Sequence, residues 1–344
     1  MNKKKIEAKI IADSINPQGD RITTYLLTYP RFIHSELMTH RVFSRNSASS
    51  RAIPFQKMVK MIEEDPFIPI AWQKNHKGMQ GTEYLTDIMD IERAEHRWRM
   101  SIANNIDQAK VLNDGIGVTK QLCNRLLEPF MWHTVLLTAT EFENFFKLRC
   151  PEYHYKGRVF KSKKDMLKAN LGTFPTKLND LEWIISSKSQ AEIHIQALAE
   201  AMWDAMNDST PKELKTGEWH IPFGDKINDI KLLSIFDNYN NMEEDIQFNT
   251  LLEYKIKVAT ARCARLSYMT FDNEIDYQKD IELHDTLLES GHASPFEHVC
   301  RVLTNEEYES CGKIIPLENG TFEFQKGWVD NFRGYKSYRR ILNI

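Results

Sequence analysis

The sequence predicts an α+β fold. Candidate strands cluster toward the two ends of the chain, helical periodicity dominates its middle, and the composition can fill a core. Of 344 residues, 42% are hydrophobic and 11% aromatic, enough to bury a core and to set wholesale disorder aside. Length alone suggests two structural units or one large unit with insertions. We read a single unit over residues 1–344. Its parts are a loop and helical part (30–206), a connection (207–250) and a C-terminal part (251–344).

The elements follow in order. Lys5–Ala12 and Arg21–Tyr29 are β-rich, and Asn16-Pro17-Gln18-Gly19-Asp20 between them reads as a hairpin turn. Pro30 opens a short helix expected over Arg31–Arg41, where Ile33, Leu37 and His40 keep helical spacing. Ser44–Ser50 is dense in hydroxyls and reads as loop. Asp65–Gly81 is Pro-broken and irregular. Thr86–Leu112 is a long helix with Ile88, Ile91, Trp98, Ile102 and Ile106 on one face, ended by Gly115 and Gly117. Thr119–Leu148 is a second helical region, interrupted near Pro129. Lys156–Lys168 is basic and expected as an exposed insertion. Gln190–Met206 is a third helix and Asn207–Asn249 a connection. Helices are expected from Leu251 through Arg265 and over Asp276–Ser290, then a strand over Glu297–Leu303.

Charge and motif content exclude several classes. Lys+Arg total 45 against 48 Asp+Glu, a net charge of -3, so no basic field recommends a nucleic-acid partner. The longest apolar runs, such as Val135–Ala139, fall far below the ~20 residues of a membrane helix. No export signal is legible at the N-terminus, and Cys123, Cys150, Cys263, Cys300 and Cys311 form no CxxC pair. A cytoplasmic setting with reduced thiols is the expectation. Dinucleotide, P-loop, nucleophile-elbow and zincin motifs are all missing. His292, His298 and Cys300 fit no standard zinc spacing, so no metal is expected.

Two constellations remain. In Thr39-His40-Arg41-Val42-Phe43-Ser44-Arg45-Asn46-Ser47-Ala48-Ser49-Ser50-Arg51 a helix end hands over to hydroxyls flanked by arginines. Such a loop can hold a phosphate through hydroxyls, backbone N–H groups and a bidentate guanidinium. The same composition also describes a solvated loop whose serines cap turns. The second constellation is His292-Ala293-Ser294-Pro295-Phe296-Glu297-His298, one helix after Ala264-Arg265-Leu266-Ser267. By itself it is a turn leading into a strand.

Together these segments resemble the flavin-dependent thymidylate synthase family, with its RHR-x-x-S-x-N-E-x-S-x-R signature and its H-x-[ST]-P-F-E-H segment preceded by A-R-x-S. Asn144–Arg149 resembles the family's helix ending in N-x-L-R, and Gln190-Ala191-Glu192-Ile193 its Q-x-E-I run. Thr39, Ser47, Glu36 and Lys147 depart from the usual Arg, Glu, Gln and Asn. The His292–His298 segment follows the signature where it ordinarily precedes it, so the chain resembles a divergent, circularly permuted, phage-like branch.

The resemblance implies a mixed β-sheet packed with long helices and a homotetramer whose sites are shared between subunits. It implies C5 methylation of dUMP to dTMP, with FAD as cofactor and methylenetetrahydrofolate and NADPH as cosubstrates. His40, Val42, Asn46, Arg149, Ser267 and Ser294 would contact FAD. Ser49 and Arg51 would hold the nucleotide phosphate, with Ser47 and Ser50 as loop donors. His292 would stand near the flavin ring and folate, and His194 near the pyrimidine. Arg41 would pair within a subunit interface. None of the cysteines follows a proline, as the C6 nucleophile of folate-only synthases does, which suits a flavin route. Hydroxymethylation of a pyrimidine deoxynucleotide, or nucleotide binding without turnover, are the alternatives. The aromatic and arginine-rich segment from Gly327 to Arg340 has no counterpart in that family.

Overall fold

The computed structural model describes residues 3–78, 81–169, 178–235, 244–268, 276–316 and 320–344. Its centre is a five-stranded mixed sheet of order β3-β4-β2-β1-β5, built from β1 (Glu7–Ile15), β2 (Arg21–Pro30), β3 (Ser44–Ser47), β4 (Trp132–Ala139) and β5 (Lys212–Glu213). All neighbours pair antiparallel except β1 and β5, which are parallel. The hairpin expected at the N-terminus forms, with Asn16 Oδ1 accepting from the N–H groups of Gln18 and Asp20 at its turn.

The second strand is rich in Thr, Tyr, Leu and Ile and is buried along most of its length, as a central strand must be. Tyr25, Leu27 and Tyr29 on β2 meet Val135, Leu137 and Ala139 on β4, and the core closes on two helices, Glu143–Arg149 and Ile193–Asp208. Tyr25 sits edge-on to Phe142, and its hydroxyl donates to the Met202 carbonyl at 3.1 Å. In chain order the helices used below are α1 (Phe55–Glu64), α2 (Ile88–Lys110), α3 (Glu143–Arg149), α4 (Ile193–Asp208), α5 (Glu244–Tyr268) and α6 (Tyr277–Glu289). A second, three-stranded antiparallel sheet joins β6 (Trp219–His220), β7 (Cys300–Val302) and β8 (Tyr335–Ser337) in the order β8-β7-β6.

The long helix expected over Thr86–Leu112 is α2. Asp87 caps it by accepting from Asp90 N–H, and the wider turn after it stops at Gly117, whose φ of +85° is left-handed. Its expected apolar face is buried only toward the C-terminal half, at Ile102, Ile106 and Ala109. Ile88 is 71% exposed.

Five expectations need correction. The region Thr119–Leu148 is not mainly helix: short helical turns run to Phe130, and Trp132–Ala139 is a central strand. Val135–Ala139 is buried on both faces, so the strand shows no alternation of apolar and polar residues, and periodicity cannot separate it from a buried helix. Ser44–Ser47, expected as loop, is an edge strand paired with β4. The connection 207–250 contributes β5, β6 and a short helix, Asp229–Leu233. The basic stretch after Lys156 forms a hairpin with Tyr153–Tyr155 and a helix, Lys163–Lys168, whose Met166 is buried with Tyr153 and Trp183. The helix of Arg31–Arg41 shortens to a 3-10 turn and His34–Met38.

The C-terminal segment is docked on the N-terminal hairpin. Trp328, Phe332 and Tyr335 are buried, the Tyr335 hydroxyl donates to the Asp20 carbonyl at 3.1 Å, and Arg333 pairs with Asp20 at 3.3 Å. Gly334 is required there: its φ is +77°, and a Cβ would stand 2.0 Å from Asn16 Nδ2. No helix among the described residues is long and apolar enough to cross a membrane.

Candidate functional site

The fold brings the two sequence constellations onto one seam. The Ser294 hydroxyl donates to the Arg45 carbonyl at 3.0 Å across 249 residues of sequence. Asn46 Nδ2 donates to the Cys263 carbonyl at 2.6 Å across 217 residues, tying β3 to α5. Ser294 opens the 3-10 turn Ser294–Glu297, where Pro295 fixes the first residues, and its buried Pro295 and Phe296 seat the turn against the body. Ser267 belongs to the last turn of α5. Its side chain lies outside the described residues.

His40 is buried beside the seam and accepts from Arg149 Nε at 3.3 Å through Nε2, so Nδ1 carries its proton. Burial, with Arg149 and Arg45 close by, pulls its pKa down to about 4. The imidazole is neutral at physiological pH and is held between Phe43 and Phe145. Val42 is half-buried on the same core. Arg45 donates only weakly, at 3.4 Å, to the Leu37 and His40 carbonyls. Among the described residues neither Arg45 nor Arg149 has a carboxylate within ion-pair distance. By contrast Arg265, from the second constellation, is committed to the buried Asp280 at 2.6 Å.

The serine loop runs on from β3 and splits by burial. Ser50 is buried, hydrogen-bonds Glu128, and has its carbonyl bound by Asn124 Nδ2 at 2.7 Å. It is therefore part of the scaffold and not a free donor. Ser47 is half-buried, while Ser49 and Arg51 are exposed. Arg51 Nε donates to Gln121 Oε1 at 3.3 Å and has no acidic partner among the described residues, so its guanidinium is available to an anion.

His292 and His194 are placed differently from each other. His292 is exposed after α6 and its Nδ1 contacts the Ser290 hydroxyl at 2.9 Å. His194 is buried at the start of α4, with Nδ1 at 2.5 Å from Glu192 Oε1 and Nε2 accepting from Ile70 N–H at 3.0 Å. Both its ring nitrogens are occupied, and its ring contacts are Phe32 and Phe67. The expectation that His194 meets the pyrimidine finds no free nitrogen in this arrangement. Thr39, standing where the signature has arginine, donates its hydroxyl to the Glu36 carbonyl at 2.7 Å.

Sequence reasoning missed a buried chain of side chains behind the seam. Ser14 Oγ meets His220 Nδ1 at 2.9 Å, and His220 Nε2 meets Thr24 Oγ1 at 2.8 Å. Thr24 Oγ1 meets Thr138 Oγ1 at 2.7 Å, and Thr138 Oγ1 meets His298 Nδ1 at 2.8 Å. It crosses β1, β2 and β4 and ends on the last residue of the second constellation. Thr138 is also the register partner of Ser44. Burial holds both His220 and His298 neutral, each pulled down to about 3. His220 lay in the stretch read as connection and Thr138 in the stretch read as helix, so only His298 carried a signal.

The thiols are free. Burial pushes Cys150 up to about 12 and raises Cys263 and Cys300 as well, so none of these three is a ready thiolate.

No protein-family model matches the chain, and no curated protein matches it. Among solved structures it is similar to the UMP/dUMP methylase PolB from Streptomyces cacaoi bound with 5-Br UMP. That likeness has 15% identity over 60% of this chain and 90% of that one, with a TM-score of 0.41. It is similar also to the 5-Br dUMP complex of the same enzyme, at 13% identity over 60% of this chain and 92% of that one, with a TM-score of 0.41.

Proposed function

We propose that the protein methylates dUMP at C5 with FAD as cofactor and with methylenetetrahydrofolate and NADPH as cosubstrates. The observation that carries this reading is the seam itself. Two constellations more than two hundred residues apart are hydrogen-bonded to each other at Arg45–Ser294 and Asn46–Cys263, beside Arg45 and Arg149, neither of which has a carboxylate within ion-pair distance among the described residues, Glu297 acting on Arg45 from farther off. Guanidinium groups not locked in ion pairs, beside a neutral imidazole, suit a phosphate-bearing ligand.

The donor set at the seam fits FAD in that respect. Arg149 and Arg45 offer positive charge toward a pyrophosphate, His40 offers a neutral ring, and Val42 an apolar contact. Asn46 and Ser294 would act chiefly by fixing the walls, since each already donates within the chain. Bound there, reduced FAD would supply the hydride. The chain's own residues bind, orient and keep water from the reacting ring. Arg51, with Ser49 beside it, would take the nucleotide phosphate. His292, exposed and lightly held, would orient the one-carbon donor. Completion of the site by a second subunit in a homotetramer belongs to the same reading.

The test is direct. Purified protein should carry or take up a yellow flavin, and should form dTMP from dUMP only when methylenetetrahydrofolate and a reductant are both present. A protein that takes up no flavin on reconstitution sinks the proposal. A second product is separated by mass in the same assay: because Thr39 and Ser47 replace the signature's Arg and Glu, hydroxymethyl-dUMP formed without net consumption of NADPH would assign the hydroxymethyl reaction.

A further inference from the structure

The buried chain behind the seam has an end that nothing in the fold takes up. Its links, from Ser14 to His220, Thr24, Thr138 and His298, all measure 2.7–2.9 Å. Thr24, Thr138 and His298 are completely buried, and Ser14 and His220 nearly so. Beyond the last link, His298 Nε2 is buried without a hydrogen-bond partner among the described residues. Among the same residues Ser14 Oγ, at the other end, has one partner, His220 Nδ1. Both rings are neutral, since burial pulls each down to about 3 and His220 weighs further against a second proton on His298. A neutral imidazole donates from one nitrogen and accepts at the other, and a hydroxyl has a single hydrogen to donate. These counts leave two arrangements. In one, Ser14 donates to His220 Nδ1, His220 Nε2 to Thr24, Thr24 to Thr138 and Thr138 to His298 Nδ1, so both rings carry their proton on Nε2. In the other every bond is reversed and both rings carry it on Nδ1. A mixed pair fails at the centre. Either the Thr24 and Thr138 oxygens face each other at 2.7 Å with no hydrogen between them, or one of their hydroxyl hydrogens has no acceptor in the chain.

We infer that these side chains act as one reversible hydrogen-bond wire, in which His220 and His298 always hold the same tautomer and reversal moves the unpaired donor hydrogen from one end to the other. In the first arrangement that hydrogen is on His298 Nε2, and in the second it is on Ser14 Oγ. Each arrangement strands one buried donor, so the count of bonds favours neither. Reversal moves each hydrogen one link along. One proton is taken from water at Ser14 and one is given to water at His298 Nε2 during local opening, and the net charge of the chain is unchanged. His298 directly follows the Ser294–Glu297 turn, whose Ser294 holds the Arg45 carbonyl. The wire thus sets from the N-terminal hairpin whether the back of that turn carries a donor or an acceptor, with no movement of the backbone. Thr24, at its centre, is a positioning residue: it bonds neither Ser14 nor His298 and passes polarity between them through bonds that strengthen one another. The inference stands apart from the flavin reading, which gives no role to Ser14, Thr24, Thr138, His220 or His298.

The test labels the histidines of the full-length protein with nitrogen-15 and reads by NMR, at neutral pH, which ring nitrogen of His220 and of His298 bears the proton. His220→Gln and His298→Gln assign the signals. The two rings should report the same tautomer or, where the wire exchanges between its two senses, the same ratio of tautomers. Opposite tautomers in the parent chain overturn the inference. Thr24→Val removes the central hydroxyl with little change of volume, whereas Thr24→Ser keeps the hydroxyl and gives up a methyl. In Thr24→Val the ring-nitrogen signals of both histidines should shift, those of His298 included, although Thr24 and His298 share no hydrogen bond. In Thr24→Ser they should stay at their parent positions. Packing alone predicts the reverse order, since valine fills the space of threonine and serine does not. His298 signals unmoved in a folded Thr24→Val chain, or moved as far by Thr24→Ser, would reduce the wire to independent contacts and overturn it. If Thr24→Val does not fold, the tautomers of the parent chain decide by themselves.

Discussion

The two ends of β3 are held in opposite ways. Upstream of the strand, His40 is buried against two phenylalanines and bound by Arg149. Within it, Asn46 and the Arg45 carbonyl are fastened to Cys263 and Ser294, and Ser44 is paired with Thr138 of the buried histidine chain. Downstream, Ser49 and Arg51 are exposed, and among the described residues the only side-chain hydrogen bond Arg51 makes is to Gln121. A side chain already satisfied by the fold changes stability when it is removed. One left unsatisfied changes little until a ligand arrives. The upstream end is thus a rigid wall, and the downstream end is a hand left open.

The largest effect expected from this contrast is an acid sensitivity to which the wall's two histidines contribute. His220 and His298 sit at about 3 in the folded chain against about 6.5 unfolded, so their contribution is complete above pH 6.5. It is lost as pH falls from there toward 3. Each costs about 1.4 kcal/mol per pH unit below 6.5, hence about 2 kcal/mol per histidine at pH 5 and about 4 for the pair. Urea unfolding at pH 7, 6 and 5 measures this, and His298→Gln should be less stable at pH 7 yet lose about 2 kcal/mol less on acidification. A variant whose pH dependence parallels the parent's would show that His298 does not titrate on unfolding as described.

The open end should behave in the reverse manner. Arg51→Ala should leave the unfolding midpoint at pH 7 within about 0.5 kcal/mol of the parent. It should cost about 1.5–3 kcal/mol of dUMP binding, a ten- to hundredfold change, since a charge-assisted phosphate contact is lost. Equal losses of dUMP and FAD affinity, or none, would erase the distinction between the two ends. Ser294→Ala should give a smaller and purely local change, about 1 kcal/mol, by freeing the Arg45 carbonyl. Amide exchange should then quicken along β3 and stay unaltered in Ala48–Arg51; uniform exchange across both would contradict the separation drawn here.

The same contrast explains what could be read from sequence. The N-terminal hairpin, α2, α4, α5 and α6 were legible because turn chemistry and a 3.6-residue period are local signals. The strand Trp132–Ala139 was not, because burial on both faces erases the alternation that marks a strand. With it went Thr138, and with Asn207–Asn249 read as connection went His220, so the wall's polar chain stayed hidden. Its members, Ser14, Thr24, Thr138, His220 and His298, are brought together only by sheet pairing. Ser44–Ser47 reads as loop because serine favours turns, and only the pairing with β4 makes it a strand. The seam was partly visible, since both constellations carry unusual residue patterns. That Ser50 and His194 are already committed to partners within the chain could not be seen from type and spacing.

The smallest expected effect concerns the thiols of the wall. Cys263 lends its carbonyl to Asn46, and Cys150 directly follows Arg149, so both lie where a nucleophile for C6 of the pyrimidine would be sought. Their environment argues the other way. Each is buried, and burial holds the proton on sulfur by disfavouring the thiolate, the only form that attacks. Under the proposed reaction the hydride comes from the flavin, so no covalent thiol adduct is needed. Cys150→Ser and Cys263→Ala should therefore fold with a modest loss of stability, of order 1 kcal/mol for a well-packed small side chain, and should turn over within about tenfold of the parent. The decisive readout is release of tritium from uracil C5, followed beside dTMP formation. A variant that binds FAD and dUMP normally yet releases no tritium would place a cysteine on C6. The wall would then be catalytic in its own right, and the division between a rigid wall and an open hand would fail at its most protected point.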